Sequence, residues 1–146
     1  MRLLIQRVKQ ASVTVNGQVT GQIGAGLLVF IGIHRDDTPD KTLWLAKKLI
    51  GMRIFKDDQD KMNLSIEDIG GKLLVISQFT LYGNCLSGKR PDFLESALPE
   101  PAFLLYEKFI SELKELSHLE VHTGIFGAAM EVSLINDGPV TFILEK

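Results

Sequence analysis

Ala11-Ser12-Val13-Thr14-Val15-Asn16-Gly17 decides the fold class. Val13 and Val15 alternate with Ser12 and Thr14, the two-residue period of a strand with one buried face. Asn16-Gly17 is the pair that a two-residue hairpin turn prefers, because both positions take up left-handed backbone. Residues 19–23 then bring the chain back as a second strand. Upstream, residues 3–8 read as another strand. Downstream, Gly24-Ala25-Gly26 breaks the chain, and residues 27–33 are apolar at both parities, the mark of a strand buried on both faces.

The rest extends this pattern. Thr38-Pro39 opens a helix, with Thr38 placed to cap it and Pro39 in its first turn. Leu43, Ala46 and Ile50, joined by Leu45 and Leu49, form its apolar face, and Gly51 ends it. Residues 52–55 make a short strand and residues 57–61 a polar turn. Residues 72–76 form a second fully apolar strand, which runs into Ser77-Gln78-Phe79-Thr80-Leu81. The connection over residues 82–98 is long enough to suggest a functional loop. Pro99-Glu100-Pro101 begins a second helix, with Leu105, Phe109 and Leu113 on one face. Strands are expected at residues 119–121, 130–135 and 140–144. The expected architecture is a single α+β domain over residues 1–146: a mainly antiparallel curved sheet or open β-barrel with two flanking helices.

The chain has 146 residues, 45% of them apolar and 23% charged, which suits a folded core rather than disorder. No apolar run is long enough to span a bilayer. The opening Met1-Arg2-Leu3-Leu4-Ile5-Gln6-Arg7 reads as a first strand rather than a signal peptide. The lone cysteine, Cys85, cannot form an internal disulfide, and a cytoplasmic setting is expected. A net charge of −2 argues against non-specific coating of nucleic acid, while leaving room for a local basic patch.

Side-chain chemistry narrows the options. His118 and His122 flank an extended segment, which separates them by roughly 13 Å, too far for one metal ion. The acidic run Asp57-Asp58-Gln59-Asp60 lacks the glycine and glutamate of a calcium loop. Cys85, in Gly83-Asn84-Cys85-Leu86-Ser87-Gly88, has no histidine nearby in sequence. No glycine-rich phosphate loop is present, although Lys89 and Arg90 could meet a phosphate. No cofactor and no metal is expected. Two stretches remain. Ser77-Gln78-Phe79-Thr80 lies where a buried strand leaves its sheet, so its N–H groups lose ladder partners and can form an oxyanion hole; equally, it can be a strand end with its own side-chain hydrogen bonds. Asn136-Asp137-Gly138-Pro139-Val140-Thr141 reads by itself as a turn between two strands, and a Gly-Pro bond can also be cis. A non-catalytic dimeric binding module fits these features, as does a hydrolase with Thr80 or Cys85 as covalent nucleophile.

Taken together and in order, Ser77-Gln78-Phe79-Thr80-Leu81 and Asn136-Asp137-Gly138-Pro139-Val140-Thr141 resemble the D-aminoacyl-tRNA deacylase family. The resemblance extends along the chain, through Gln6-Arg7-Val8, Gly24-Ala25-Gly26-Leu27-Leu28, Lys61-Met62-Asn63-Leu64 and Arg90-Pro91-Asp92-Phe93. It implies hydrolysis of the ester between a D-amino acid, or misattached glycine, and the 3′ end of tRNA, carried out by a homodimer without a membrane or metal partner. It implies that Gly138-Pro139 is cis and enters the other subunit's site, where its carbonyls reject L-amino acids. Ser77, Gln78, Phe79 and Thr80 then line the catalytic pocket, with the Phe79 and Thr80 N–H groups near the scissile ester. Phe126, Met130 and Asn136 fall in its wall. Arg2, Arg7, Lys89 and Arg90 are candidate tRNA contacts. Ala129 departs from the carboxylate expected there in many relatives.

Overall fold

One 14-residue strand, β1 (Arg2–Val15), organises the computed structural model, which describes residues 1–86 and 88–146. The first half of β1 pairs antiparallel with β3 (Gly26–Gly32), from Arg2↔Gly32 to Val8↔Gly26. Its second half pairs antiparallel with β2 (Gln18–Ile23), through the hairpin at Asn16 and Gly17, both at positive φ. Along its other edge runs β8 (Glu131–Glu145), antiparallel from Arg2↔Glu145 to Thr14↔Glu131. The expected separate strands at residues 3–8 and 11–15 are therefore one strand. Lys9 and Gln10, which divide them in sequence, form an exposed bulge where the register with β8 shifts.

That bulge has a packing purpose. Leu3 and Ile5 point into a core shared with the helices, whereas Val8, Ala11 and Val13 point into a second core within the curled sheet. Inserting a residue reverses which face the odd-numbered side chains occupy. One strand thereby serves two cores. β3 lies between them: Leu27, Val29 and Ile31 face the helices, and Leu28 faces the sheet interior. Its unbroken apolar sequence follows from that.

After β3 come α1 (Pro39–Ile50), a small antiparallel pair β4 (Phe55–Lys56) and β5 (Met62–Leu64), and then β6 (Lys72–Ser77). β6 lies parallel to β3, and β7 (Val121–Thr123), reached through α2 (Pro99–Leu116), lies parallel to β6. Two ladders of the main sheet are thus parallel and three antiparallel, because connections carrying helices return the chain to its starting end. Curling brings β2 against β7, close enough that a Cβ on Gly21 would lie 2.6 Å from the Thr123 carbonyl oxygen. The sheet is nearly closed, like a barrel, with both helices packed on one side through residues such as Leu45, Leu49, Phe109 and Leu113.

Smaller expectations shift. Leu43 is largely exposed rather than part of the buried face of α1, and Thr38 occupies the cap position without a side-chain capping bond. Residues 130–135 and 140–144 belong to one continuous strand, β8, instead of two strands joined by a turn. Ser87 lies outside the described residues.

Asp37 fastens the start of β1 to the segment before α1. Its fully buried carboxylate accepts hydrogen bonds from the Met1 amine at 2.7 Å, Lys41 Nζ at 2.8 Å and the His34 N–H at 2.7 Å. Burial opposes ionisation of Asp37, but the Lys41, amine and His34 hydrogen bonds outweigh it and hold the carboxyl below its ordinary value. A folded value below the unfolded one gives stability that is present above about pH 4 and lost as pH falls through the folded value. Asp37→Asn should lower unfolding free energy at pH 7 by roughly 2–4 kcal/mol and flatten the acid side of the stability–pH curve. Urea midpoints across pH measure both, and an unchanged midpoint at pH 7 would contradict this role.

Candidate active site

The carboxyl ends of the parallel strands β3 and β6 open into a cleft of about 530 Å3. Ends of parallel strands are a recurrent place for ligands in α/β sheets. Ile31, Ile33 and Ile76 line its base, Ser77, Gln78 and Phe79 one side, and Phe126, Met130 and Val132 another. Among the described residues that line it, none is an acid, base or thiol.

At the Ser77–Phe79 side the backbone itself becomes available. The Gln78 N–H donates to the Ile31 carbonyl at 2.8 Å, the last rung between β6 and β3. The chain then enters a 3-10 turn, Phe79–Tyr82, whose first bond runs from the Leu81 N–H to the Gln78 carbonyl at 3.2 Å. The N–H groups of Phe79 and Thr80 precede that bond, and among the described residues neither meets an acceptor. The Phe79 carbonyl is held from behind by Ser96 Oγ at 2.9 Å. The Thr80 hydroxyl is exposed, accepts from Gln78 Nε2 at 2.5 Å, and does not line the cleft, whereas Ser77 does.

Aromatic rings shape the remainder. Phe79 stands edge-on to Phe93, with centroids 5.0 Å apart, and more than half of its surface is exposed at the mouth. Phe126 is wedged against Phe103 and Tyr106, at 5.4 and 5.5 Å. Tyr106 donates to the Val75 carbonyl at 3.1 Å, and burial pushes its phenol up to about 12. Phe93, Ser96 and Leu98 are site residues that residue chemistry alone does not single out. The length of the 82–98 connection is the sequence signal for Ser96 and Leu98, and Phe93 also falls in the Arg90-Pro91-Asp92-Phe93 stretch that carries the resemblance. Its end is fastened over β3 by Ala97 N–H to the Ile33 carbonyl at 2.9 Å.

Gly138, Pro139 and Asn136 lie elsewhere. The Gly138-Pro139 bond is cis. β8 pairs Asn136 with Val8 and Thr141 with Gln6, so it spends five steps where β1 spends two. The excess stands out as a protrusion from an edge strand, and none of residues 136–140 lines the cleft of its own chain. Asn136 does not line the cleft of its own chain.

Arg7, expected among the tRNA contacts, is buried instead. Leu3, Ile5 and Arg7 share one inward face, and the guanidinium reaches the Ile54 carbonyl at 2.5 Å, the Asp137 carbonyl at 3.2 Å and the Asp137 carboxylate at 2.8 Å. It grips the protrusion and has no free face for a phosphate. Arg2 forms a two-pronged pair with Glu145, donates to the Leu81 carbonyl and covers the Tyr82 ring at 4.7 Å. Lys89 and Arg90 are exposed on a loop closed by reciprocal backbone bonds between Asn84 and Asp92. Cys85 is exposed on the same loop, outside the cleft lining. Among the described residues no group of three or more His, Cys, Asp or Glu is placed to hold a metal ion, and His122 Nε2 lies 3.8 Å from Glu120.

The family model for D-Tyr-tRNA(Tyr) deacylase matches residues 4–145. The chain belongs to the D-aminoacyl-tRNA deacylase family. It is 54% identical to a D-aminoacyl-tRNA deacylase of an Exiguobacterium species over 146 residues, which cover 100% of this chain and 99% of the relative. It is 52% identical to that of Chlorobaculum tepidum, covering 100% of this chain and 97% of the relative. Among solved structures it is similar to the c-Myc DNA unwinding element binding protein, with a TM-score of 0.94, 37% identity and coverage of 100% and 99%. A probable eukaryotic D-amino acid tRNA deacylase shares the fold, with a TM-score of 0.84 at 18% identity, covering 98% of this chain and 97% of that one. Within this hydrolase family, the chain carries its two expected motifs at separate places: a strand exit at the cleft and a protrusion outside it.

Arg7→Met keeps the apolar stem but leaves the Ile54 carbonyl and Asp137 without their donor. It should cost roughly 2–4 kcal/mol in unfolding free energy and speed amide exchange around residues 136–140. Denaturant titration and exchange mass spectrometry measure the two effects; parental values in both would show that Arg7 holds nothing.

Proposed function

We propose that this chain hydrolyses the ester joining a D-amino acid, or misattached glycine, to the 3′ end of tRNA, acting in the cytoplasm as a homodimer. The observation that carries the proposal is the pair of unpartnered N–H groups, Phe79 and Thr80, at the edge of a cleft without acids or bases. Water attacks the ester carbonyl carbon, and negative charge develops on the carbonyl oxygen. Two fixed N–H donors stabilise that oxyanion without having to reorganise; a donor of this kind typically contributes about 100- to 1,000-fold in rate. The bond to the ribose oxygen then breaks, leaving a free amino acid and a tRNA hydroxyl. An aminoacyl ester is already reactive, and the neighbouring 2′-hydroxyl of the ribose is placed to assist proton transfer. That removes the need for a histidine in the site.

Selection of D over L substrates is assigned to the Gly138-Pro139 protrusion. Its carbonyls exclude an L side chain sterically and admit D residues; glycine passes because it has no side chain to exclude. Residues 136–140 do not line their own cleft, which supports a gate that serves a second copy. β8 favours such a contact: it is an edge strand with Ile135, Phe142 and Ile143 exposed. Ser77 lines the cleft and Gln78 holds Thr80, so both shape the site rather than attack. Phe126 and Met130 form its wall. The exposed rings of Phe79 and Phe93 offer stacking surface to unpaired bases of the tRNA end, and Lys89 and Arg90 a nearby positive charge.

The decisive measurement is release of amino acid from matched D- and L-tyrosyl-tRNA. Fast D and negligible L hydrolysis is expected; no release of either sinks the hydrolytic assignment, and equal release sinks the chiral one. Thr80→Ala and Cys85→Ala should retain turnover within about tenfold, while a loss of roughly a millionfold, the scale for a deleted nucleophile, would install a covalent mechanism. Lys89→Ala with Arg90→Ala should weaken tRNA binding and flatten its salt dependence by up to about two units of slope, about one per lost phosphate contact. A slope identical to the parent would remove both residues from the interface.

A further inference from the structure

Asn136 stands at the foot of the protrusion, and its side chain is committed on all sides. Nδ2 donates to the Arg7 carbonyl at 3.0 Å across the ladder and to the Val140 carbonyl at 3.1 Å on the far leg of the protrusion. Both neighbours are acceptors, so the amide nitrogen must face them. Oδ1 is then turned onto Gly138. A Cβ at Gly138 would overlap Asn136 Oδ1 and lie 3.2 Å from its Cγ. Arg7 has no ladder partner on β8, because the register jumps from Gln6↔Thr141 to Val8↔Asn136. The Asn136 amide supplies the missing crosslink. It ties three points together: β1, the near leg and the far leg. Asp137, between the legs, is gripped from the other side by Arg7 through its carbonyl and its carboxylate.

We propose that Asn136 is a specificity-determining positioning residue, whose side-chain amide fixes the direction in which the Gly138 and Pro139 carbonyls leave the protrusion. The inference rests on the assignment of that protrusion as the stereochemical gate. A gate that works by steric exclusion is only as selective as it is rigid, because a carbonyl free to swing admits the side chain it is meant to reject. The oxyanion donors sit on a different element, the exit of β6, so loosening the protrusion changes what is admitted more than how fast it reacts. The identity of the side chain follows from its contacts. Two donors and one compact acceptor face are required; aspartate has the shape without the donors, alanine has neither, and glutamine is a methylene too long for the gap beside Gly138.

The test compares kcat/KM on D- and L-tyrosyl-tRNA for the full-length parent, Asn136→Ala and Asn136→Asp. Asn136→Asp preserves the packing against Gly138, so the comparison survives should the alanine variant fold poorly. The expected result is an L rate raised roughly tenfold or more in each folded variant while the D rate moves by less than about threefold, a split that marks lost discrimination rather than lost catalysis. An unchanged D/L ratio overturns the proposal. So does an equal fall on both substrates, which is what a merely structural role predicts. A third protein with Gly138 and Pro139 deleted separates this inference from the gate assignment. If its ratio collapses while the Asn136 variants keep theirs, only the role of Asn136 fails; if it discriminates like the parent, the gate assignment itself is wrong.

Discussion

Everything in this molecule is arranged around the mismatch between β1 and β8. Two antiparallel strands of similar length are paired at both ends but advance unequally in the middle, two residues on one against five on the other. The surplus cannot be absorbed in the ladder and has to leave the sheet. Arg7 and Asn136 work at that point from opposite sides, one through an inward guanidinium and the other through a side-chain amide. The same region of β1 changes which core its side chains enter. Two adjacent irregularities thus do two things: the Lys9–Gln10 bulge lets one strand serve two cores, and the shift between Gln6 and Val8 exports a loop from an edge.

The cleft sits at the other functional end of the sheet, and its design differs. There the irregularity is a strand exit, where Gln78 makes the last rung and the next two N–H groups are left over. Side chains around them are apolar or uncharged. Their work is to hold the turn in place: Ser96 fixes the Phe79 carbonyl, Gln78 and Thr80 fix each other, and Phe93 packs beside Gly83, where a Cβ would come within 3.0 Å of the ring. In the proposed function the chemistry resides in the main chain, and the side chains supply position and shape.

Local patterns made much of this legible in the sequence, and the exceptions share a cause. The Asn16-Gly17 hairpin, the doubly buried β3 and β6 and both helices follow from short-range composition and periodicity. What a sequence window could not show was continuity. β1 and β8 each look like two strands, because a bulge leaves polar residues such as Lys9-Gln10 or Asn136-Asp137 in the middle of a strand, as a turn does. Parallel pairing of β3, β6 and β7 is likewise a long-range outcome. Arg7 is more instructive. Its charge suggested a phosphate contact, yet its parity with Leu3 and Ile5 already placed it inward, and the periodicity was the better guide. At the site, the motif at residues 77–80 was visible as a strand end, but the loop that completes the cleft, with Phe93, Ser96 and Leu98, has no periodicity and was marked only by its length and by the resemblance at Arg90-Pro91-Asp92-Phe93.

A site built from backbone donors has an unusual relation to variation. In the proposed function Phe79 and Thr80 contribute through atoms that nineteen of the twenty amino acids share, so the chemical step would be nearly blind to which side chains occupy those positions. Only proline removes such a donor. Selection must then act on whatever shapes the turn: the glycine that admits Phe93, the serine behind the carbonyl, the last rung to Ile31. Substituting residues one at a time in this cleft would chart its scaffolding while leaving its backbone donors almost untouched.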